Sequence, residues 1–461
     1  MNRALAIILC ALVACVRRPQ PTSHTPARSV WQAPPSGAGD LVRSLSDEVG
    51  PRLAGSPGDA RAVEWGLRTM RNLGFANVHP EPVRVPHWER GVGRGEITAP
   101  FAHDVVLTAL GGSVATAPDG IEAEVIEVDS LDALDALPEE SARGKIVFVH
   151  HVMPRFRDGG GYGRAVTIRS RGASRAARKG AVALIIRSAG TDHARVAHTG
   201  ALRYEDGVTR IPAAALSVPD AEMLHRIVQG GHGSVRFRLV LGCRELPEAD
   251  SANVVGEIPG SDRAREVILL AAHLDSWDLG TGAIDDGAGC AIVLEAARRV
   301  AREHPRRTVR AVLFANEENG LAGARAYAQA HANELAAHVV AIEADEGDGR
   351  VYALRYAGSD AGRALFDDLA ASVESMGVTR LRDEAHGGAD LSPLAPAGVP
   401  RLDLLQDMGT YFDHHHTVND TPAILNERAL DQAVAVFAAV VARVAAMDGD
   451  FGRAPVGRDS H

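Results

Sequence analysis

Acidic and histidine side chains recur at four places in the C-terminal half of this 461-residue sequence. The four segments are HLDSWD from His273, GAIDDGAG around Asp285, NEENG around Glu317 and EADEG around Asp345. If these carboxylates converge they must repel one another, because two unit charges about 4 Å apart cost about 4 kcal/mol at an effective dielectric constant of about 20. Two divalent cations that share a bridging carboxylate would neutralise them. Histidine mixed with carboxylate suits zinc better than magnesium, which prefers oxygen ligands.

A fifth segment, YFDHHHTVNDT, places three histidines side by side: His414, His415 and His416. If the segment is extended, His414 and His416 point one way and His415 points the other. The spacing alone leaves open which of the three binds a metal. Each candidate also has an ordinary explanation, such as a helix N-cap for Asp285. Their recurrence at successive strand ends is what indicates a site.

The elements that must position these residues predict a mixed α/β fold. EVILLAAHLD, TVRAVLFANEE and HVVAIEADEG are typical of buried strands, and DDGAGCAIVLEAARRVARE is typical of a helix between them. Ligands of open α/β sheets bind beyond the carboxyl ends of the strands, where polar residues distant in sequence meet. The apolar run ALDQAVAVFAAVVARVAAM contains Asp431 and Arg443, which favours a core-packed amphipathic helix over a membrane span.

The pattern between residues 101 and 245 differs from its surroundings. Short β-branched runs alternate there with glycine-rich turns, which is typical of a β-rich module with a helix or two. We therefore predict an inserted domain at 101–245 that interrupts a catalytic domain formed by 40–100 and 246–448, followed by a tail at 449–461. The helical patterns before the insert are expected to pack on the main sheet.

The N-terminus indicates export. The apolar run from Ala4 to Ala14 is too short to span a bilayer and is typical of a signal peptide. LVAC, which ends at Cys15, resembles the bacterial lipoprotein box, so we predict a lipoprotein signal peptide at 1–15 and a flexible tether at 16–39. The mature protein is expected in the periplasm or cell envelope, where an N-terminal lipid anchor is its only membrane attachment. Plain secretion is the alternative.

Charge and cysteine content narrow the function classes further. The net charge of -10 argues against nucleic acid as a partner, since phosphate binding needs clustered positive charge. Beyond the signal peptide and Cys15, the chain has only Cys243 and Cys290, and the sequence does not show whether they pair. Cys290 lies in an apolar helical run, which favours a buried free thiol.

The five polar segments resemble the ligand-bearing segments of the cocatalytic dizinc exopeptidases, the zinc aminopeptidase and carboxypeptidase Q family. The similarity is greatest to the carboxypeptidase Q branch, and it extends over nearly all of the mature chain through VGPRLAGS, PVRVPHWERG, RGKIV, GAVALIIRS and IPAAALSV. It implies a mixed central sheet flanked by helices, with an inserted β-rich domain similar to the protease-associated domain. It also implies two Zn2+ per chain, a peptide substrate and a homodimer.

The same resemblance implies a role for each motif residue. One ion would bind His273, Asp285 and Asp345, and the other would bind Asp285, Glu318 and His416. Asp285 would therefore bridge the two ions, and Glu317 would be the general base.

Further residues are implied to support these ligands. Asp275 matches the carboxylate that orients the imidazole of His273, and the peptide bond between Asp285 and Asp286 matches one that is cis in the family. The family pattern is a histidine followed four residues later by Asp-Thr, which selects His416 and makes Asp420 a support for its loop. His414 and His415 would then line the pocket or be structural.

One residue departs from the family pattern. Asn316 stands where relatives often carry a small residue or threonine, and the sequence offers no physical explanation for it.

The resemblance implies a zinc exopeptidase that hydrolyses dipeptides or short peptides outside the cytoplasm, by attack of a dizinc-activated water. An aminopeptidase that releases N-terminal residues from longer peptides is the alternative, and it depends on whether the pocket recognises a free carboxylate. Arg164, Arg169 and Arg171 of the insert could supply that contact. Some relatives have lost ligands and act as receptors. A non-catalytic binding protein of the same fold is therefore a third hypothesis, although every ligand position here carries a competent residue.

Overall fold

The computed structural model describes residues 32–455, which form two eight-stranded mixed sheets covered by helices. The predicted signal peptide, most of the predicted tether and residues 456–461 of the predicted tail lie outside the described residues. Among residues 32–455 the α-helices are α1 (Ala38–Glu48), α2 (Pro57–Asn72), α3 (Leu131–Ala136), α4 (Tyr162–Arg178), α5 (Val218–Gln229), α6 (Ala288–Ala301), α7 (Ala322–Ala330), α8 (Arg363–Val373) and α9 (Glu427–Ala446). The strands are β1 (Ala76–Glu89), β2 (Gly93–Ala99), β3 (His103–Val105), β4 (Leu107–Ala109), β5 (Ile121–Val128), β6 (Ile146–Val149), β7 (Ala183–Arg187), β8 (Ala213–Leu216), β9 (Arg236–Leu241), β10 (Arg244–Ile258), β11 (Arg263–His273), β12 (Arg307–Phe314), β13 (His338–Glu343), β14 (Val351–Ala357), β15 (Thr379–Arg380) and β16 (Arg401–Gln406).

The first sheet has the strand order β1-β10-β12-β11-β13-β16-β14-β15. Its four central neighbours, β12, β11, β13 and β16, run parallel to one another. Their carboxyl ends therefore meet at one edge of the sheet. Parallel strands are buried on both faces, which explains why β11 carries a nearly continuous apolar run. The mixed central sheet predicted from the sequence is confirmed.

Helices cover both faces of this sheet. Apolar side chains of α1, α2, α6, α8 and α9 form the larger core on one face, and α7 packs on the other. Within the described part of the chain, α9 alone is long and apolar enough to cross a membrane, but most of its surface is buried inside the fold. The predicted core-packed helix is confirmed, and each large apolar side chain that it buries contributes about 1.5–3 kcal/mol.

The second sheet has the order β3-β2-β9-β5-β6-β7-β8-β4, with β5, β6, β7 and β8 parallel. Alternate residues of β6 point to opposite faces, so Ile146 packs in the core beside α5 and Val147 packs in the core beside α4. Strand β2 already belongs to this sheet, so the sheet begins at Gly93, before the predicted domain boundary at residue 101. Its similarity to a protease-associated domain stays a prediction.

Specific contacts hold described residues of both the predicted tether and the predicted tail. The main-chain N–H and the hydroxyl of Ser36 both donate to Asp431 Oδ1 at 2.6 Å, and α1 begins at Ala38, inside the predicted tether. At the other end Phe451 is fully buried, and the hydroxyl of Tyr356 donates to its carbonyl oxygen at 2.7 Å. A polar, proline-rich composition indicates little burial on average, but a few specific contacts suffice to fix such segments.

Cys243 and Cys290 are both buried and free, so they do not form a disulfide with each other. The expected buried thiol of Cys290 is confirmed, and its Sγ donates to the carbonyl oxygen of His273 at 3.1 Å. Burial raises the pKa of Cys243 to about 11, so this thiol is protonated and unreactive at neutral pH.

Candidate metal centre

The parallel strands of the first sheet bring the predicted site residues to one edge. His273 is the last residue of β11, Glu317 and Glu318 follow β12, and Asp345 follows β13. His416 comes from the turns after β16, and Asp285 comes from a turn that precedes α6. The edge formed by the carboxyl ends is where open α/β sheets bind ligands.

The two carboxylate oxygens of Asp285 face two different groups of side chains. Its Oδ1 lies 3.2 Å from His273 Nε2, which is 3.4 Å from Asp345 Oδ1. Its Oδ2 lies 3.1 Å from His416 Nε2, which is 3.0 Å from Glu318 Oε2. Ligands placed tetrahedrally at 2.0–2.1 Å from zinc are about 3.3 Å apart. Both groups therefore have the spacing of a zinc coordination shell, with Asp285 common to the two.

Hydrogen bonding at Asp285 also fits the binding of a cation. Asp285 Oδ2 is buried and makes no hydrogen bond, although His416 Nε2 is only 3.1 Å away. A buried carboxylate oxygen without a partner is costly. A cation placed between the ligand groups would satisfy this oxygen.

The electrostatics of the centre show the same need for positive charge. Burial, reinforced by the charge of Asp285, raises the pKa of Glu318 to about 7, and burial also raises the pKa of Asp345. Burial would lower the pKa of His416, but the charge of Glu318 and contacts with Asp285 and Glu318 hold it well above its usual value. The carboxylates thus draw protons onto neighbouring groups unless cations neutralise them.

Asp275 fixes the turn that carries the two glutamates. Its Oδ1 accepts from the main-chain N–H of Glu317 at 2.9 Å, and its Oδ2 accepts from that of Glu318 at 3.4 Å. The resemblance implies that the Asp275 carboxylate orients His273, but His273 Nδ1 is closer to the Asp275 carbonyl oxygen, at 3.1 Å, than to Oδ1, at 3.7 Å. The aspartate therefore contacts the imidazole mainly through its main chain, because its side chain holds the glutamate turn.

Asn316 has a structural explanation. Its φ is +64°, in the left-handed region that asparagine tolerates better than most residues. Its Oδ1 accepts from the main-chain N–H of Ala322 at 3.3 Å. Asn316 therefore turns the chain sharply after β12, immediately before Glu317.

Asp420 and Asp286 hold the loop around Asp285. Asp420 Oδ1 accepts from the N–H of Ile284 at 2.7 Å, and its Oδ2 accepts from that of Asp285 at 3.2 Å. Asp286 Oδ2 accepts from the N–H of His273 at 3.1 Å. The peptide bond between Asp285 and Asp286 is cis, as the resemblance implies. Asp420 thus contacts the loop that carries Asp285 as well as its own.

The three histidines lie in tight turns, so the expected alternation of an extended segment is wrong. The N–H of Thr417 donates to the carbonyl oxygen of His414 at 3.1 Å, and His416 has a φ of +61°. As a result the rings of His415 and His416 stack with centroids 3.5 Å apart and face the same carboxylate. His415 Nε2 lies 3.5 Å from Asp285 Oδ2, slightly farther than His416 Nε2.

Residues of the second sheet's loops also contact this histidine segment. His416 Nδ1 donates to the carbonyl oxygen of Thr199 at 3.2 Å, and the N–H of Thr199 donates to the carbonyl oxygen of His416 at 3.0 Å. His198 Nδ1 donates to the carbonyl oxygen of His415 at 2.7 Å, and its Nε2 contacts Asp192 Oδ2 at 2.5 Å. These contacts could not be predicted from the sequence. Every residue has a main-chain carbonyl group, so the residue type does not indicate which of them accepts a hydrogen bond.

A cavity of about 970 Å³ opens next to the centre. Its lining includes Glu317, Asp345 and His416 from the centre, and Arg171, Arg203 and Arg355. Of the three arginines suggested by the sequence, Arg164 is exposed and lies outside the lining, whereas the lining includes both Arg169 and Arg171. Arg169 is buried and donates to the hydroxyl of Tyr162 at 2.6 Å. Arg355 has a buried Nε without a hydrogen-bond partner, and sequence reasoning missed it.

Comparisons with known proteins agree with this geometry. Residues 253–441, which include all the ligand candidates, match the sequence model of peptidase family M28. Carboxypeptidase Q of Homo sapiens is 38% identical over 407 residues, which cover 88% of this chain and 84% of that protein. A peptidase M28 precursor from Shewanella amazonensis has a TM-score of 0.89 at 46% identity, covering 91% of this chain and 95% of that one. A zinc aminopeptidase from Bacillus subtilis shares the fold, with a TM-score of 0.65 at 20% identity over 92% and 99% of the two chains.

Proposed function

Because the chain belongs to peptidase family M28, in its carboxypeptidase Q-like group, and is a metallo-exopeptidase, we propose that it hydrolyses dipeptides or short peptides with two zinc ions. The observation that carries this proposal is the placement of Asp285, whose two oxygens face two ligand groups at zinc-like spacing. A carboxylate in this position suits a bridge between two ions better than a ligand of one.

The ligands divide into two sets. One ion would bind His273, Asp285 and Asp345, and the other would bind Asp285, Glu318 and His416. When bound, the two ions would acidify the attacking water molecule and polarise the scissile carbonyl group. His415 lies close enough to Asp285 to be a rival of Glu318 in the second set, since Asp285, His415 and His416 can also converge on one point.

Glu317 would move the proton during hydrolysis. It lines the cavity beside the ligands, and its main-chain N–H is fixed by Asp275. Without cations, burial and nearby carboxylates raise the pKa of Glu317 well above its ordinary value. The two ions, when bound, would favour its ionised form, which is the form that accepts a proton. Glu317 would accept a proton from the attacking water and deliver it to the leaving amine.

The cavity supports a short substrate with a free carboxylate. Its volume of about 970 Å³ is at the upper end of the range for small-ligand pockets, about 300–1,000 Å³. Arg171, Arg203 and Arg355 are among its lining residues, and guanidinium groups recognise carboxylates through paired hydrogen bonds. This arrangement favours a dipeptidase or carboxypeptidase over an enzyme that requires only a free amino group.

The substrate class is tested by comparing unblocked dipeptides with the same dipeptides amidated at the C-terminus. A hydrogen bond to a charged group contributes about 1.5–3 kcal/mol, so amidation is expected to lower kcat/KM by about 10- to 100-fold. Equal values of kcat/KM would favour the alternative, an aminopeptidase. No hydrolysis of either substrate by the zinc-loaded protein would favour the binding-protein hypothesis.

The cellular location of the protein is inferred from the N-terminal sequence alone. A lipid on Cys15 would keep the mature protein in the cell envelope, with plain secretion as the alternative. Cell fractionation of the wild type and of Cys15→Ala distinguishes them, since only an anchored protein moves from the membrane to the soluble fraction on substitution.

The proposed homodimer is tested by light scattering of the purified protein.

A further inference from the structure

Two side chains of α4 form a hydrogen-bonded pair in the wall of the cavity. Tyr162 is the first residue of this helix and Arg169 follows seven positions later, so the two lie on the same face of the helix. Because helical side chains lean towards the N-terminus, Arg169 Nη1 reaches back and donates to the Tyr162 hydroxyl at 2.6 Å. Both residues line the cavity beside Glu317 and His416.

The charge of Arg169 is buried without a carboxylate partner. Only 5% of the residue is exposed, its Nε makes no hydrogen bond, and it forms no ion pair with any described residue. Its Nη1 is 3.5 Å from His416 Nδ1, but that nitrogen already donates to the carbonyl oxygen of Thr199. A buried cation is costly unless a negative charge lies close to it. The position of Arg169 therefore suits a reaction in which negative charge develops beside His416.

The hydroxyl of Tyr162 has a proton to donate. A phenolic hydroxyl group can donate one hydrogen bond and also accept, whereas a guanidinium group can only donate. The Tyr162 oxygen is therefore the acceptor in this pair, and within residues 32–455 its own O–H has no acceptor. Hydrogen bonds in a chain polarise one another, so accepting from Arg169 makes this hydroxyl a stronger donor. Its proton is left for a molecule bound in the cavity.

Packing holds the pair in place beside the histidine segment. The Tyr162 ring stacks on Phe412 with centroids 4.7 Å apart, and it meets the ring of His415 edge-on with centroids 5.1 Å apart. A side chain at Gly200 would overlap the Arg169 guanidinium, so this glycine gives the arginine its space. The hydroxyl is thus fixed before a substrate binds, which is the property of a donor that stabilises a transition state.

We propose that the Tyr162 hydroxyl is a catalytic hydrogen-bond donor to the oxygen of the scissile carbonyl group, and that Arg169 positions and polarises it. The inference rests on the proposed peptide hydrolysis, in which negative charge develops on that oxygen as water attacks. The phenol keeps its proton throughout, and Glu317 remains the group that carries a proton to the leaving amine. Helix α4 of the second sheet thus contributes a catalytic side chain to a centre built on the first.

Tyr162→Phe tests the donor, because it removes only the hydroxyl group. We expect kcat for a dipeptide to fall about 10²-fold, the typical effect of losing one such donor, with KM changed by less than about threefold and the zinc content unchanged. Wild-type kcat in Tyr162→Phe would overturn the proposal.

Tyr204→Phe is the matched control. Tyr204 lines the same cavity, but its hydroxyl already donates to the carbonyl oxygen of Ile211 at 2.6 Å. Its proton is therefore not available to a substrate, and kcat should stay within about threefold of the wild type. A loss in Tyr204→Phe equal to that in Tyr162→Phe would show a general effect on the cavity wall and would contradict the specific role of Tyr162.

Arg169→Gln tests whether the arginine acts through the tyrosine. It should lower kcat about tenfold in the wild type, because the hydroxyl loses a charged hydrogen-bond partner. In the Tyr162→Phe background it should have little further effect, since the group that it positions is absent. Equal effects in the two backgrounds would show that Arg169 acts independently and would contradict this assignment.

Dipeptide binding distinguishes this role from recognition of the substrate carboxylate. The Glu317→Gln variant is expected to bind a dipeptide but to hydrolyse it slowly, and adding Tyr162→Phe to it should change Kd by less than about threefold. A loss of affinity as large as the loss of kcat/KM would show that Tyr162 binds the ground state, and would overturn the proposal. An inactive zinc-loaded wild type would contradict the proposed function itself, whereas an active wild type with an equally active Tyr162→Phe contradicts only this inference.

Discussion

Asp285 is the residue on which both halves of the proposed metal centre depend. Its Oδ1 is 3.2 Å from His273 Nε2 and its Oδ2 is 3.1 Å from His416 Nε2, so it joins ligands that are 143 positions apart in the chain (416 minus 273). The N–H groups of Ile284 and Asp285 are held by Asp420, which limits the directions the carboxylate can take. A carboxylate held in this way would fix the separation of the two proposed ions.

Glu317→Gln separates proton transfer from metal binding. Hydrolysis should fall about 10²- to 10⁴-fold, because the amide cannot accept a proton, whereas the zinc content should not change. Glu346→Gln is the matched control, because burial already raises the pKa of Glu346 to about 8 and its carboxyl group is largely neutral at pH 7. Steady-state kinetics and metal analysis of both variants provide the measurement. Full activity in Glu317→Gln would rule out this residue as the base.

Alanine substitution of the three adjacent histidines, one at a time, shows which of them binds zinc. His416→Ala should lose about one zinc ion and nearly all activity, because His416 Nε2 lies close to both Asp285 and Glu318. His414→Ala should keep its full zinc content, since His414 belongs to none of the groups of three or more converging ligand atoms among the described residues. His415→Ala is expected to retain both ions with reduced activity, through loss of the ring stacked on His416. Zinc loss from His415→Ala, but not from His416→Ala, would reverse the assignment.

At the scale of elements, the parallel strands explain why part of the site could be predicted from sequence. Strands β11, β12 and β13 were recognisable as apolar runs, and His273, Glu317 and Asp345 stand at or just after their ends. The turn at His414–His416 was not recognisable, because the left-handed backbone of His416 comes from surrounding contacts and not from local residue preference. For the same reason, the contact of the loop at Thr199 with the histidine segment could not be predicted from the sequence.

That loop from the second sheet makes a testable contribution to zinc affinity. Asp192→Asn removes the charge beside His198, which donates to the carbonyl oxygen of His415. Groups that orient metal ligands typically account for 10- to 100-fold in affinity, so we expect about tenfold weaker zinc binding, measured by chelator competition. Asp206→Asn, at an exposed position of the same unit, is the control. Unchanged affinity in Asp192→Asn would show that the loop is held without this pair.

The start of β13 should make stability depend on pH. His338 is fully buried, and burial lowers its pKa to about 4, while its Nε2 lies 2.9 Å from the Tyr327 hydroxyl. Between pH 6.5 and about 4 the unfolded chain binds this proton and the folded protein does not, so acidification through that range destabilises the fold by up to about 3 kcal/mol. Denaturant unfolding of the wild type and of His338→Gln at pH 7 and pH 4.5 measures it. The variant should lose less stability on acidification, and equal losses would contradict this role.

At the scale of the whole molecule, the two sheets act together at the centre. Met153, Ala165 and Ala189 from the second sheet's connections pack against Ile284 and Phe412 from the first. The same contact region includes Thr199 and His198, which bond to the histidine segment. The connections of the second sheet also form part of the cavity wall, which includes Tyr162 and Arg203.

Zinc-edge anomalous diffraction from crystals of the active protein is the most direct test of a dizinc centre. It should give two peaks about 3.5–4 Å apart, one on each side of the Asp285 carboxylate. The first peak should be contacted by His273 and Asp345, and the second by Glu318 and His416. A single peak, or none, between these side chains in crystals that hydrolyse a dipeptide would contradict the dizinc mechanism.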